Sequence, residues 1–252
     1  MKKILAVLLT LGVMVTTASC GKQPEPSNDN LIPEPASEYS QQEPEDISLQ
    51  EESTQVQEKI QAVETEQGSH ILIAYFTWAE NTYVENPDLV DVDATTSASV
   101  LMPGNVGLLA EWIQEETGGD MFPIITEEPY SSDYDTCLNR AIEEHDSGMR
   151  PSIVGHVENM QDYDIVFLGF PNWWYSCPMA ILTFIEEHDL SGKTIIPFCS
   201  HGTGGFAASL QDIGKALPDD CTVLEEFGAY RPEVSGSQDK LLEWLSGLEL
   251  SS

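Results

Sequence analysis

Three rings in a row, Trp173, Trp174 and Tyr175, sit in a loop bounded by Pro171 and Pro178. They follow Ile165-Val166-Phe167-Leu168-Gly169-Phe170, an unbroken apolar run of the kind found in a central strand covered on both faces. Aromatic side chains at the carboxyl end of a parallel strand stand where open α/β sheets bind planar ligands. One tryptophan there would simply pack the loop onto the core; three rings between two prolines argue for a ligand, with Pro171 and Asn172 in the same loop. Gly169 and Pro171 are expected to break the strand ladder. Pro178 suits the first turn of a helix over 179–187.

Two more loops carry chemistry. Thr77-Trp78-Ala79-Glu80-Asn81-Thr82 follows an apolar run at 70–76, and its hydroxyls, Asn and backbone N–H groups are what a phosphate needs at a strand-to-helix turn. Cys199-Ser200-His201-Gly202-Thr203-Gly204-Gly205-Phe206 follows another apolar run, and Gly202, Gly204 and Gly205 let backbone approach a flat ring. On its own this third loop would be an ordinary glycine-rich turn. Ser200 and His201 raise the alternative of a serine hydrolase, but a nucleophile elbow needs Gly two residues before the Ser and Phe198 stands there. His201 is as well suited to a structural hydrogen bond as to proton relay. Cys137, Cys177, Cys199 and Cys221 lack the close spacing of a metal knuckle and read as buried thiols.

The elements that must position these loops alternate. Strands are expected over 70–76, 121–125, 165–170, 194–199 and 222–226, the last with a continuation to Tyr230, and Pro123 places the second at an edge. Between them, Val106, Leu109, Ala110 and Ile113 share a helical face, as do Leu138, Ala141 and Ile142. Leu210, Ile213 and Leu217 form another, and Leu241, Leu242, Leu245 and Leu248 close the chain. Such alternation predicts an α/β fold, a three-layer, doubly wound, five-stranded parallel sheet.

The first 69 residues have another character. Lys2 and Lys3 precede an apolar stretch from Ile4 to Val15, too short for a permanent span, so 1–20 reads as a signal peptide. It ends Thr17-Ala18-Ser19-Cys20-Gly21, which resembles a bacterial lipobox with Thr17 in place of the usual Leu. That resemblance implies lipidation at Cys20, a membrane anchor and an extracytoplasmic location. Residues 21–69 are rich in Pro, Glu, Gln and Ser and read as a disordered tether, with at most a weak helix over 55–63. Twelve of the 43 acidic residues fall in the tether; the domain from 70 to 252 keeps 31 against six Lys and Arg, a formal charge of about −25. A surface that acidic excludes nucleic acid as a partner.

The order of a hydroxyl-rich first loop, a Pro171-x-Trp173-Trp174 second loop and a Ser200-His201-Gly202-x-Gly204-Gly205 third loop resembles the flavodoxin family. Gly192-Lys193-Thr194-Ile195-Ile196-Pro197-Phe198-Cys199-Ser200-His201-Gly202 and Glu128-Pro129-Tyr130 with Arg150-Pro151 resemble one bacterial branch of it. The resemblance covers nearly all of 70–248 and implies a flavodoxin-like sheet of order 2-1-3-4-5 with bound FMN. The protein would then orient the flavin and tune its potential, which the surrounding negative charge should lower. It implies an FMN site built from Thr77, Trp78, Asn81, Thr82, Asn105, Val106, Pro171, Asn172, Trp173, Trp174, Tyr175, Ser200, His201, Gly202, Gly204 and Gly205. Two departures stand out: Glu80 where the family's phosphate loop has Gly, and the polar stretch 83–103 before Gly104-Asn105-Val106 opens a helix. They point to a phosphate site split between Thr77 with Trp78 and Asn105 with its helix N-terminus. They also raise the alternative of a binding module that has lost FMN. The electron-transfer counterpart, a redox protein or a small-molecule acceptor, is not named by the sequence. Use of NAD(P)H or a quinone is equally open.

Overall fold

The computed structural model describes residues 70–96, 99–248 and 250. The expected signal segment, the acidic tether and the helix over 55–63 lie outside the described residues.

Strand β1 (Ile71–Tyr75) is central, with β2 (Asp120–Pro123) on one side and β5 (Ile165–Pro171) on the other, both parallel to it. Strand β6 (Thr194–His201) follows β5, again parallel. The fifth position is shared: β7 (Thr222–Val223) pairs with the start of β6 and β8 (Phe227–Tyr230) with its end. In strand positions this is the expected 2-1-3-4-5 order. The break inside the fifth strand has a visible cause, because the Glu225 carbonyl accepts a hydrogen bond from Trp244 Nε1 at 3.1 Å instead of joining a ladder.

The strands are apolar throughout because both faces are covered. Leu72, Ala74, Phe76, Val166, Leu168, Phe170 and Ile195 face one cluster, where α4 (Met179–Glu187) contributes Ile181 and Phe184 and α5 (Ser209–Ala216) contributes Ile213. Ile73, Tyr75, Phe167, Ile196 and Phe198 face the other, against Val106, Leu109 and Ile113 of α2 (Gly104–Thr117) and Leu241 and Leu245 of α6 (Gln238–Gly247). Alternate residues of one strand serve opposite cores, as the period of two requires.

Two expectations are corrected. Neither Gly169 nor Pro171 breaks the ladder: they pair with Phe198 and Ser200, Pro171 is the last residue of the strand, and a Cβ at Gly169 would come within 2.2 Å of the Phe198 ring. The second strand is shorter than expected: after Pro123 the chain leaves the sheet, and β3 (Ile125–Thr126) forms an antiparallel pair with β4 (Ile153–Val154), which the sequence did not announce. The reason is local. Pro123 has no N–H to extend the ladder, and the Asn81 side chain captures the next groups, donating to Ile124 O at 3.0 Å and accepting from Thr126 N at 2.7 Å.

Residues 83–96 contain the short helix α1 (Val92–Thr96), and the chain is described again from 99 to 103. Ala94 and Val100 plug into the core. The chain then enters α2, where Leu101 O accepts from Gly104 N at 2.8 Å. Of the cysteines, Cys137, Cys177 and Cys199 are buried free thiols; Cys221 is half-buried and donates from Sγ to Leu190 O.

Candidate flavin site

A cleft opens over the carboxyl ends of β1, β5 and β6, where open parallel sheets place their ligands. Thr77, Trp78, Asn105, Val106, Pro171, Asn172, Trp173, Trp174 and Ser200 line it. Thr77, Asn105, Asn172 and Ser200 make its polar part, and the rest of the lining is aromatic and apolar apart from Arg231.

The polar end is assembled by a close approach. Gly104 opens α2 with φ +78°, and a Cβ on it would lie 2.2 Å from Thr77 Oγ1. Only glycine both adopts that conformation freely and lets the loop after β1 settle on the helix N-terminus. Thr77 is 2% exposed, and its hydroxyl makes no hydrogen bond among the described residues although it faces the cleft. Asn105, one residue into the helix, donates from Nδ2 to Ser200 Oγ at 3.1 Å and to Arg231 O at 3.2 Å, tying α2 to β6 and to the chain after β8.

At the aromatic end the two tryptophans part company. The Trp173 ring packs edge-on against Tyr130 (centroids 5.1 Å), Phe76 (5.2 Å) and Trp78 (6.2 Å). Tyr130 is itself held by Glu144, accepting at 2.7 Å, while Arg140 lies over its ring at 3.9 Å and pairs with the same carboxylate. Trp174 is 42% exposed and Tyr175 68%. Trp173 N donates to Ser176 O and Ser176 N to Trp173 O, and the residues between have φ +47° and +62°. Positive φ at both central positions is the signature of a type I′ turn, normally filled by Asn-Gly. Two bulky aromatics in that conformation are backbone outliers of the sort that collect at ligand clamps.

Other expected residues take other roles. Asn81 is buried, its amide fully engaged by Thr77 O, Ile124 O and Thr126, so it braces the loop from behind. Thr82 donates to Tyr130 O at 2.7 Å, and it does not line the cleft. His201 donates from Nδ1 to Gly202 O, its ring lying against Phe206 and Gly228. No Ser200–His201 hydrogen bond occurs among the described residues, and the Ser200 hydroxyl is held by Asn105, which removes the hydrolase arrangement. Gly202, Gly204, Gly205 and Tyr175 stand outside the cleft lining; Gly204 abuts the Tyr175 ring, and Ala208 N donates to Tyr175 O, so the glycine loop buttresses the aromatic turn.

Glu80 is not among the cleft residues either. It accepts from Tyr75 OH at 3.1 Å, and burial, with Glu111 adding to it, raises its carboxyl above the usual range. Burial and that same carboxylate push Tyr75 up in turn.

Sequence reasoning missed Tyr134, Cys137, Leu138 and Ala141 on α3 (Tyr134–Ser147), and it missed Arg231. The apolar face of α3 was legible only as a core face; its leading part borders the cleft instead. Burial drives the Cys137 thiol up to about 12, so it presents a small apolar wall and not a nucleophile.

The sequence profile of the family described as Flavodoxin matches residues 94–247, more than half of the chain. The chain belongs to the flavodoxin family. Among solved structures, this flavodoxin resembles a candidate flavoprotein from Bacteroides eggerthii DSM 20697 at 30% identity, over 69% of this chain and 98% of that one, with a TM-score of 0.50. A candidate flavoprotein from Bacteroides uniformis ATCC 8492 is 24% identical over 71% of this chain and 99% of that one, TM-score 0.51. A flavoprotein from Lactobacillus acidophilus NCFM, solved in complex with FMN, shares the fold at 15% identity, over 69% of this chain and 99% of that one, TM-score 0.50. No curated protein matches.

Proposed function

We propose that this flavodoxin binds FMN and passes electrons, either as a carrier or as an oxidoreductase, to a redox protein or a small-molecule acceptor. The observation that carries the reading is the cleft itself: the unpartnered Thr77 hydroxyl beside a helix N-terminus, and the exposed Trp174 on a strained turn, matching a phosphate and a flat ring.

The residues fit the cofactor. Thr77 is 2% exposed and lines the cleft, its hydroxyl making no hydrogen bond among the described residues, and Gly104 leaves room where a Cβ would intrude. The N-terminal N–H groups of α2 add a partial positive charge. Glu80 lies outside the cleft lining, with one carboxyl oxygen held by Tyr75 and the other buried without a partner, so the repulsion that would favour a module without FMN loses its basis. When bound, FMN supplies one-electron and hydride chemistry. The chain's own contribution is to anchor the phosphate with Thr77 and the start of α2, to cover the ring with Trp174, and to keep Trp173 as the wall behind it.

Titrating the full chain, purified in detergent, with FMN and riboflavin tests this by flavin fluorescence. Trp174→Ala should weaken both flavins about ten- to hundredfold, the scale of ring stacking, with little change in melting. Trp173→Ala should lower the melting temperature, because it empties a half-buried site among three rings. Thr77→Ala should weaken FMN and spare riboflavin. Failure of the unaltered protein to bind either flavin would overturn the reading.

The sequence run from Lys2 to Cys20 supports a further part of the proposal, that lipid on Cys20 holds the domain at the outer face of a membrane. The acidic domain offers no basic patch for anionic lipid, so anchorage falls to the acyl chains. Cys20→Ala should move the protein out of the membrane fraction; its retention there would refute the anchor.

A further inference from the structure

Arg231 begins the turn after β8, about 30 residues beyond the glycine loop, yet it lines the cleft. Its guanidinium packs against Gly202, where a Cβ would come 3.2 Å from one terminal nitrogen and 3.4 Å from Cζ. Its backbone carbonyl is held by Asn105, the second residue of the helix that starts beside Thr77. Arg231 therefore belongs to the polar end of the cleft.

Its charge is the unusual part. The domain carries 31 carboxylate side chains and six Lys or Arg. Arg140 pairs with Glu144, Arg150 with Glu186 and Lys215 with Asp212, while the Lys193 ammonium donates to Tyr163 O at 2.6 Å. Arg231 and Lys240 have no acidic partner among the described residues; Lys240 is exposed, whereas Arg231 lines a cleft that holds no carboxylate, and its side chain makes no hydrogen bond among the described residues. With acids outnumbering cations about five to one, an arginine in a cleft without a paired carboxylate leaves its donors for something else. Beside it stand the unpartnered Thr77 hydroxyl and the N-terminus of a 14-residue helix, both suited to an anion.

We propose that Arg231 is the counter-ion of the flavin phosphate and sets the preference of this site for FMN over riboflavin. The inference rests on the FMN reading above and deepens it. The planar guanidinium presents two parallel N–H groups to two phosphate oxygens, a geometry a lysine lacks. Gly202 keeps the floor beneath the guanidinium open. The third loop thus serves the cofactor through an arginine packed on it as well as through its buttressing of Trp174 and Tyr175.

The test compares Kd values of the full chain in detergent for FMN and riboflavin, at low and high NaCl. Arg231→Gln should weaken FMN by about ten- to hundredfold, the scale of a charge-assisted hydrogen bond lost, and leave riboflavin unchanged. Arg231→Lys should recover part of that loss. The salt dependence of FMN binding should flatten in Arg231→Gln. Unchanged riboflavin affinity also reports that the variant is folded. Equal weakening of both flavins would place Arg231 on the ring and overturn the assignment, as would FMN binding as tight as that of the unaltered chain. Absence of any flavin binding by the unaltered chain would instead overturn the FMN reading, and this inference with it.

Discussion

The double variant Trp174→Asn/Tyr175→Gly is expected to melt higher than the parent protein and to bind FMN at least about a hundredfold more weakly. Both halves come from one turn. At φ +47° and +62° the two aromatics hold a conformation that costs a non-glycine residue on the order of 1–3 kcal/mol each, and Asn-Gly is the pair that type I′ geometry favours. Little packing is lost in exchange, since Trp174 and Tyr175 are 42% and 68% exposed. A net gain of about 1–2 kcal/mol corresponds to roughly 2–8 °C in a domain of this size. Binding suffers because the exposed Trp174 ring is the one available to cover a flavin, and stacking contributes about 1–3 kcal/mol per ring. Calorimetry and flavin titration on the same preparation decide it. A lower melting temperature with FMN affinity intact would mean that the turn serves the fold and not the ligand.

Gly104→Ala should destabilise the protein by about 2–5 kcal/mol and remove FMN binding, and Thr77→Ala should rescue much of the stability but none of the binding. A methyl at Gly104 meets Thr77 Oγ1 at 2.2 Å on a backbone at φ +78°. The overlap and the conformational strain each contribute about 1–3 kcal/mol. Removing the hydroxyl clears the overlap but leaves the strain, so the two substitutions should couple by about 1–3 kcal/mol in a double-mutant cycle. Urea denaturation of the four proteins measures the coupling. Strict additivity would show that the loop after β1 yields easily and that the close approach of Thr77 to the helix start is unimportant.

The strands were legible because parallel strands buried on both faces are continuous apolar runs, and Ile165–Pro171 and Thr194–His201 are two such runs. Helix α4 was bounded by Pro178 and begins at Met179, directly after it. The three loops were found because open sheets bind ligands where strands end, so chain order alone placed Thr77, Trp173 and Ser200 at one edge of the molecule. Membership of the flavodoxin family was written in those loops and in the run from Gly192 to Gly202.

What each loop residue does was decided by packing. Asn81 and Asn105 are both loop-end asparagines, equally eligible in sequence for a phosphate. Asn81 is consumed by Thr77 O, Ile124 O and Thr126, whereas Asn105 bridges Ser200 and Arg231 at the cleft. Trp173 and Trp174 are adjacent and chemically identical, and the sign of φ in the turn sends one to the core and leaves the other in solvent. Arg231 and the α3 face enter the cleft from distant parts of the chain, and no local pattern marks them. Sequence periodicity reports which side of an element is apolar, through the 2.0 and 3.6 repeats of strand and helix. It does not report what that side meets, because such contacts are fixed only when elements far apart in the chain close over the same strand ends.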